Sequence, residues 1–140
     1  MQAQALNEYI GQGIKREVYK DKTLLYLPFY FGENTSEPLC LIWSKDGTLS
    51  DGGRTLLELK KRLGDITPYS ERIGNVLSSL GLISLEGGQK LVIKHFQTCI
   101  QGEQTYIDYL GGLSKLLRAI SLINVIDAIE VDKYGEVSLC

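Results

Sequence analysis

Apolar positions along the chain follow two periods, a strand-like one in the first half and a helical one afterwards. From Thr23 to Phe31, apolar and aromatic residues fill both faces, which predicts a largely buried strand. Pro28 has no ladder donor, so it belongs at an edge, at a bulge or at the start of a separate short strand. Residues 32–38 are polar and rich in turn formers. Leu39 to Trp43 predicts the next strand. Asp46 and Gly47 supply the positive φ angles of a tight hairpin, and Thr48 to Ser50 returns as a third strand. Residues 23–51 therefore read as an antiparallel three-stranded meander.

Helical spacing takes over after Asp51, Gly52 and Gly53. Thr55 and Glu58 have the spacing of a capping box. Leu56, Leu59 and Leu63 form one face of the helix, with Lys60, Lys61 and Arg62 largely opposite and Gly64 as its stop. Thr67 as cap and Pro68 at the first helical position open a second helix. Its stripe, Ile73, Val76, Leu77 and Leu80, is the cleanest in the chain, and Gly81 ends it. Residues 82–85 and 90–96 around the turn 86–88 predict a second, small hairpin. The stretch from Glu103 to about Ile129 reads as a long C-terminal helix. Leu110, Leu113, Leu117 and Ile120 form its stripe, and Leu116, Ile123 and Ile126 widen it. Such a helix is buried on two sides or packs on a partner, and Gly111 with Gly112 is a place to kink or split it. A last strand is expected around Gly135. Before the meander, Ala3, Leu6, Ile10 and Ile14 predict an N-terminal helix over residues 2–16, weakened by Gly11 and Gly13. The class is α+β in one domain spanning 1–140.

Composition changes this picture little. The net charge of −2 gives no overall footprint for nucleic acid. No apolar run reaches the roughly 18 residues that span a bilayer, so no membrane partner is expected. Met1 to Leu6 lacks a basic cluster followed by an apolar core, so a cytoplasmic location is expected. Cys40, Cys99 and Cys140 are far apart and form no C-x-x-C pair. Cys40, inside an apolar run, is expected to act as a small buried hydrophobe.

Asp51 is the carboxylate most open to a chemical reading. Flanked by glycines at a strand end, it has the setting of a metal ligand or base, but its expected role is to cap the following turn. Gly52, Gly53 and Arg54 complete that corner, as interaction or turn-capping residues. The glycines match neither a phosphate-binding loop nor a dinucleotide fingerprint. His95, the single histidine, has no carboxylate neighbour in sequence. The strand 91–94 lacks the carboxylate that a restriction-type nuclease places two residues before its lysine. No cofactor, metal site or catalytic residue is expected. Lys60, Lys61 and Arg62 form a candidate basic patch, which Glu58 and Asp65 interrupt.

Leu27, Pro28 and Phe29, the strand to Trp43, and then Leu49, Asp51, Gly53, Thr55, Leu56 and Leu59 resemble a bacterial and phage family known as domain of unknown function 1828. Arg72 to Gly81 is similar to that family's next segment, so the resemblance covers roughly residues 23–95. The family brings no reaction with it. Its members are often encoded in phages and mobile elements, which implies an accessory role such as interference with a host defence system. The expected function is thus a small non-enzymatic protein-binding factor, with homo-oligomerisation through helix 103–129. The alternative is a nucleic-acid-binding regulator using segment 55–96, whose helix–helix–hairpin order resembles a winged helix in outline. A metal-dependent hydrolase around Asp51 is the third reading.

Overall fold

The computed structural model describes residues 15–32, 37–94 and 104–139. Its strands are β1 (Lys15–Val18), β2 (Lys22–Leu27), β3 (Leu39–Ser44), β4 (Leu49–Ser50), β5 (Ile83–Glu86) and β6 (Lys90–Ile93). Helix α1 (Arg54–Leu63) and helix α2 (Ser70–Leu80) separate β4 from β5. Helix α3 (Gln104–Asn124) follows, and then the hairpin of β7 (Ile129–Val131) and β8 (Val137–Leu139). The architecture is α+β, as the two hydrophobic periods predict. Among the described residues no helix is long and apolar enough to cross a membrane.

The meander is larger than the sequence suggests. Strands β1 to β6 form one antiparallel sheet in the order β1-β2-β3-β4-β6-β5. The second hairpin is not separate, because β4 pairs with β6 through Leu49↔Ile93 and Ser50↔Val92. Of the N-terminal helix expected over 2–16, residues 2–14 lie outside the described residues. Lys15 and Arg16 belong to β1, opposite Tyr26 and Leu25 of β2. Strand β2 stops at Leu27, one residue before Pro28, and the Leu39 N–H then donates to the Phe29 carbonyl at 2.8 Å.

One face of the sheet carries Leu25 against Leu41, Leu27 against Leu39, Trp43 against Leu49, and Ile93 against Ile83. All are buried, in one cluster with Leu56 and Leu59 of α1, Ile73, Val76 and Leu77 of α2, and Leu116, Ile120 and Ile123 of α3. Each such side chain contributes roughly 1.5–3 kcal/mol by leaving water. The helices therefore form a single layer on this face. The other face bears Glu17, Leu24, Tyr26, Cys40 and Ile42.

Helix ends follow local chemistry. Gly64 and Gly81 close α1 and α2, donating to the carbonyls of Lys60 and Leu77. The cap expected from Thr67 comes instead from Asp65. Its Oδ1 accepts from the Thr67 N–H at 3.0 Å and hydroxyl at 2.7 Å, and a 3-10 turn through Pro68 precedes α2. Helix α3 runs through Gly111 and Gly112 without a break. It ends at Asn124 rather than near Ile129, because arginines capture the carbonyls beyond. Arg62 donates to Asn124, and Arg72 donates to Ile126 and Ile129. From Leu113 onward its apolar stripe is buried inside the chain, leaving Ser114, Arg118 and Ser121 outward. The width that suggested an oligomer surface is thus accounted for by packing on α1, α2 and β6. The C-terminal hairpin docks on α2 at Gly135, where a Cβ would sit 2.4 Å from that of Ser79.

Candidate functional site

Asp51 sits where β4 turns into α1, with only 2% of its surface exposed. Its Oδ1 accepts from the Gly53 N–H at 2.8 Å and the Leu91 N–H at 3.0 Å, and its Oδ2 from the Thr55 N–H at 3.2 Å. The Asp51 N–H in turn donates to the Leu91 carbonyl at 3.2 Å. Gly52 and Gly53 hold φ of +69° and +84°, which a side chain resists, and a Cβ on Gly52 would approach Ile42 Cδ1 to 3.2 Å. The carboxylate therefore places negative charge on the helix N-terminus and ties β6 to β4. Its two oxygens accept from three backbone donors, which is the turn-capping role expected of it. The same donors are withdrawn from any phosphate at the helix start. Among the described residues no group of three or more His, Cys, Asp or Glu is placed to hold a metal ion.

Arg54 closes the corner from outside. It donates to the carbonyls of Pro38 at 2.8 Å and Glu37 at 3.1 Å, and its guanidinium lies 5.2 Å from the Phe31 ring centroid. The capping box does not form. Glu58 lies 3.6 Å from both Arg54 and Lys61, and Thr55 is within the helix, its hydroxyl buried with no hydrogen-bond partner among the described residues. The cap signal that counts is Asp51, four residues before Thr55.

The basic trio does not act as a unit. Arg62 makes a two-pronged pair with Asp127, at 3.0 and 2.9 Å, besides its bond to Asn124. That bond holds the Asp127 carboxyl below the usual carboxylate range and pushes the Arg62 guanidinium up. Lys61 faces Glu58, and Lys60 is exposed beside a groove described below. A second polar group, invisible to motif reading, occupies the outer sheet face. The Tyr19 hydroxyl donates to Glu17 at 2.5 Å. Hydrogen bonds to the Glu17 carboxylate raise the Tyr19 pKa and push that of Tyr26 up to about 12. Glu17 is itself lowered, by the Tyr19 bond first. Burial raises the Cys40 thiol, against thiolate chemistry. Cys99, Cys140 and His95 lie outside the described residues.

The sheet ends differently at its two edges. Leu91 turns its N–H and C=O to Asp51, so its partner Leu85, and Ile83 two residues away, direct their peptide groups off the outer edge of β5, which pairs with no further strand among the described residues. That edge reads Ile83, Ser84, Leu85 and Glu86, with its one charge at the last position. Leu82, just before Ile83, is 63% exposed and Leu85 37%. Leu82 is also the described non-glycine residue at positive φ, +68°. Beside the edge runs a groove of about 610 Å³, walled by Leu56, Lys60, Ile66, Ile73, Leu77 and Leu85 among others. Neither the open edge nor the groove is announced by a motif. The alternation around Ser84, next to a glycine turn, is the signal that was present. Searched against protein-family models, curated proteins and solved structures, the chain matches none.

Proposed function

We propose that the chain is a small non-enzymatic protein-binding factor that docks a strand of another polypeptide along β5. The observation that supports this reading is the juxtaposition of a sheet edge that is uncharged from Ile83 to Leu85 with an apolar groove on the helix side of that edge. Strand addition uses both parts, main-chain hydrogen bonds for affinity and pockets for alternate side chains. The resemblance of residues 23–95 to family 1828 supports an accessory setting in the cytoplasm, encoded by a phage or mobile element and directed at a host defence. Panning displayed random peptides of about twelve residues on the immobilised chain tests the docking. Peptides with apolar residues at alternate positions are expected to enrich, and Leu85→Lys, at a partly exposed position, is expected to abolish the enrichment. Equal enrichment on the variant, or none on the native chain, contradicts the reading.

The observed order α1, α2, β5, β6 favours one second reading, nucleic-acid binding. Lys60 and Lys90 line one concavity at the start of α1, although Lys61 and Arg62 face carboxylates. A slope of affinity against salt near zero in a DNA titration removes that reading.

A further inference from the structure

The strand that β5 fits best is its own copy. We infer that two chains pair antiparallel through β5, extending the six-stranded sheet across a two-fold axis. This rests on the reading of β5 as a docking edge and names its occupant. The outward peptide groups belong to Ile83 and Leu85, so a symmetric register with both in bonded pairs sets Ile83 opposite the partner's Leu85 and centres on Ser84. Two serines then face each other in the closer, non-bonded pair, and no like charges meet. An isologous contact needs this self-complementarity.

The opposite edge shows what happens without it. Tyr19 donates to the Lys22 carbonyl, so Glu17 bonds across to β2 and the peptide groups of Arg16 and Val18 point outward in β1. The equivalent register would set Glu17 against Glu17, and registers shifted to Arg16 would oppose two arginines. Like charges directly opposite destabilise a pair. Glu86 falls opposite the partner's Leu82, so no like charges are opposed in β5, whereas β1 opposes them. On the helix side, the incoming Leu85 is carried toward the groove lined by Ile73 and Leu77, and the exposed Leu82 lies at the start of the same seam. A short strand pair buries less than a large permanent interface, so the association is expected to be concentration-dependent.

Sedimentation equilibrium on the full chain, from about 1 μM to about 1 mM, reads the association directly. The native chain is expected to rise from 15.6 kDa toward twice that mass. Ser84 is exposed and outside the core, so Ser84→Lys and Ser84→Glu leave the fold intact, which circular dichroism checks. Each variant alone is expected to weaken pairing at least about tenfold, and an equimolar mixture to restore it. Glu17→Lys on β1 is expected to change nothing. A single-chain mass throughout, a dimer indifferent to Ser84→Lys, or a mixture that does not recover overturns the inference. None of these outcomes touches the peptide-display result, which decides docking at the edge separately.

Discussion

The two edges of the sheet face the same problem and answer it differently. Strand β1 presents Lys15, Arg16, Glu17 and Val18, and β5 presents Ile83, Ser84, Leu85 and Glu86. Unpaired strand edges invite association, and charges along an edge are a common guard against it. Charges fill the first three positions of β1, whereas the charge of β5 stands only at its last position. The β5 edge is also the one with an apolar groove at its side and a leucine held at positive φ at its start. The difference teaches that exposure alone does not mark a docking edge. The β5 edge is proposed as a docking edge because its first three positions are uncharged and lie next to space for side chains.

The largest expected effect breaks the comparison by detaching the β5 edge from the sheet. Asp51 is the side chain that holds β6, and through it β5, against β4. Asp51→Ala removes the acceptor for three backbone donors, and urea unfolding is expected to show a loss of about 3 kcal/mol. Hydrogen exchange at the Leu91 amide is expected to rise with it. Unchanged stability would mean that the corner is held by its glycine turn alone.

A conversion of β1 comes next. Replacing Arg16 by Ile and Glu17 by Ser gives β1 the pattern of β5, and light scattering is expected to show a second, new mode of association. If the doubly substituted chain stays as before, edge charge is not what separates the two strands.

The smallest effect concerns the tie between α1 and the segment after α3. Arg62 and Asp127 tie the end of α1 to the segment after α3, with both side chains substantially exposed. Such a pair contributes about 0.5–1 kcal/mol after solvent screening. The folded Asp127 pKa lies below its ordinary 3.8, so the contribution is complete above that value and is lost as pH falls through the lowered one. The stability difference between the native chain and Asp127→Asn is therefore expected at neutral pH and is expected to vanish as pH falls through the lowered Asp127 pKa. A difference independent of pH would assign the effect to packing.

Much of the fold was legible where the signal is local. The Asp46–Gly47 turn forms, with the Thr48 N–H donating to Asp46 Oδ1 at 3.0 Å, and α1, α2 and both hairpin strands fall close to where periodicity puts them. The misreadings have a common cause in long sequence separation. Strand β1 has no alternation of its own and is specified by pairing with β2. The joining of β4 to β6 rests on two residues of β4 and a bond from Leu91 to Asp51, 40 positions apart. The capping box failed although its spacing was right, because Arg54 and Lys61 compete for Glu58 and Asp51 already supplies the cap. Arg62 looked like part of a patch because its partner, Asp127, lies 65 positions away. Asp51 caps the turn, as its glycine-flanked setting suggests, whereas the β5 edge depends on the pairing of β6 with β4, which no local pattern announces.

The most direct measurement is the mass of an equimolar mixture of Ser84→Lys and Ser84→Glu chains, each of which sediments as a single chain when alone. A mixture at about twice 15.6 kDa is the predicted result. A mixture that remains at the single-chain mass, at concentrations where the native chain is dimeric, contradicts pairing of β5 through Ser84.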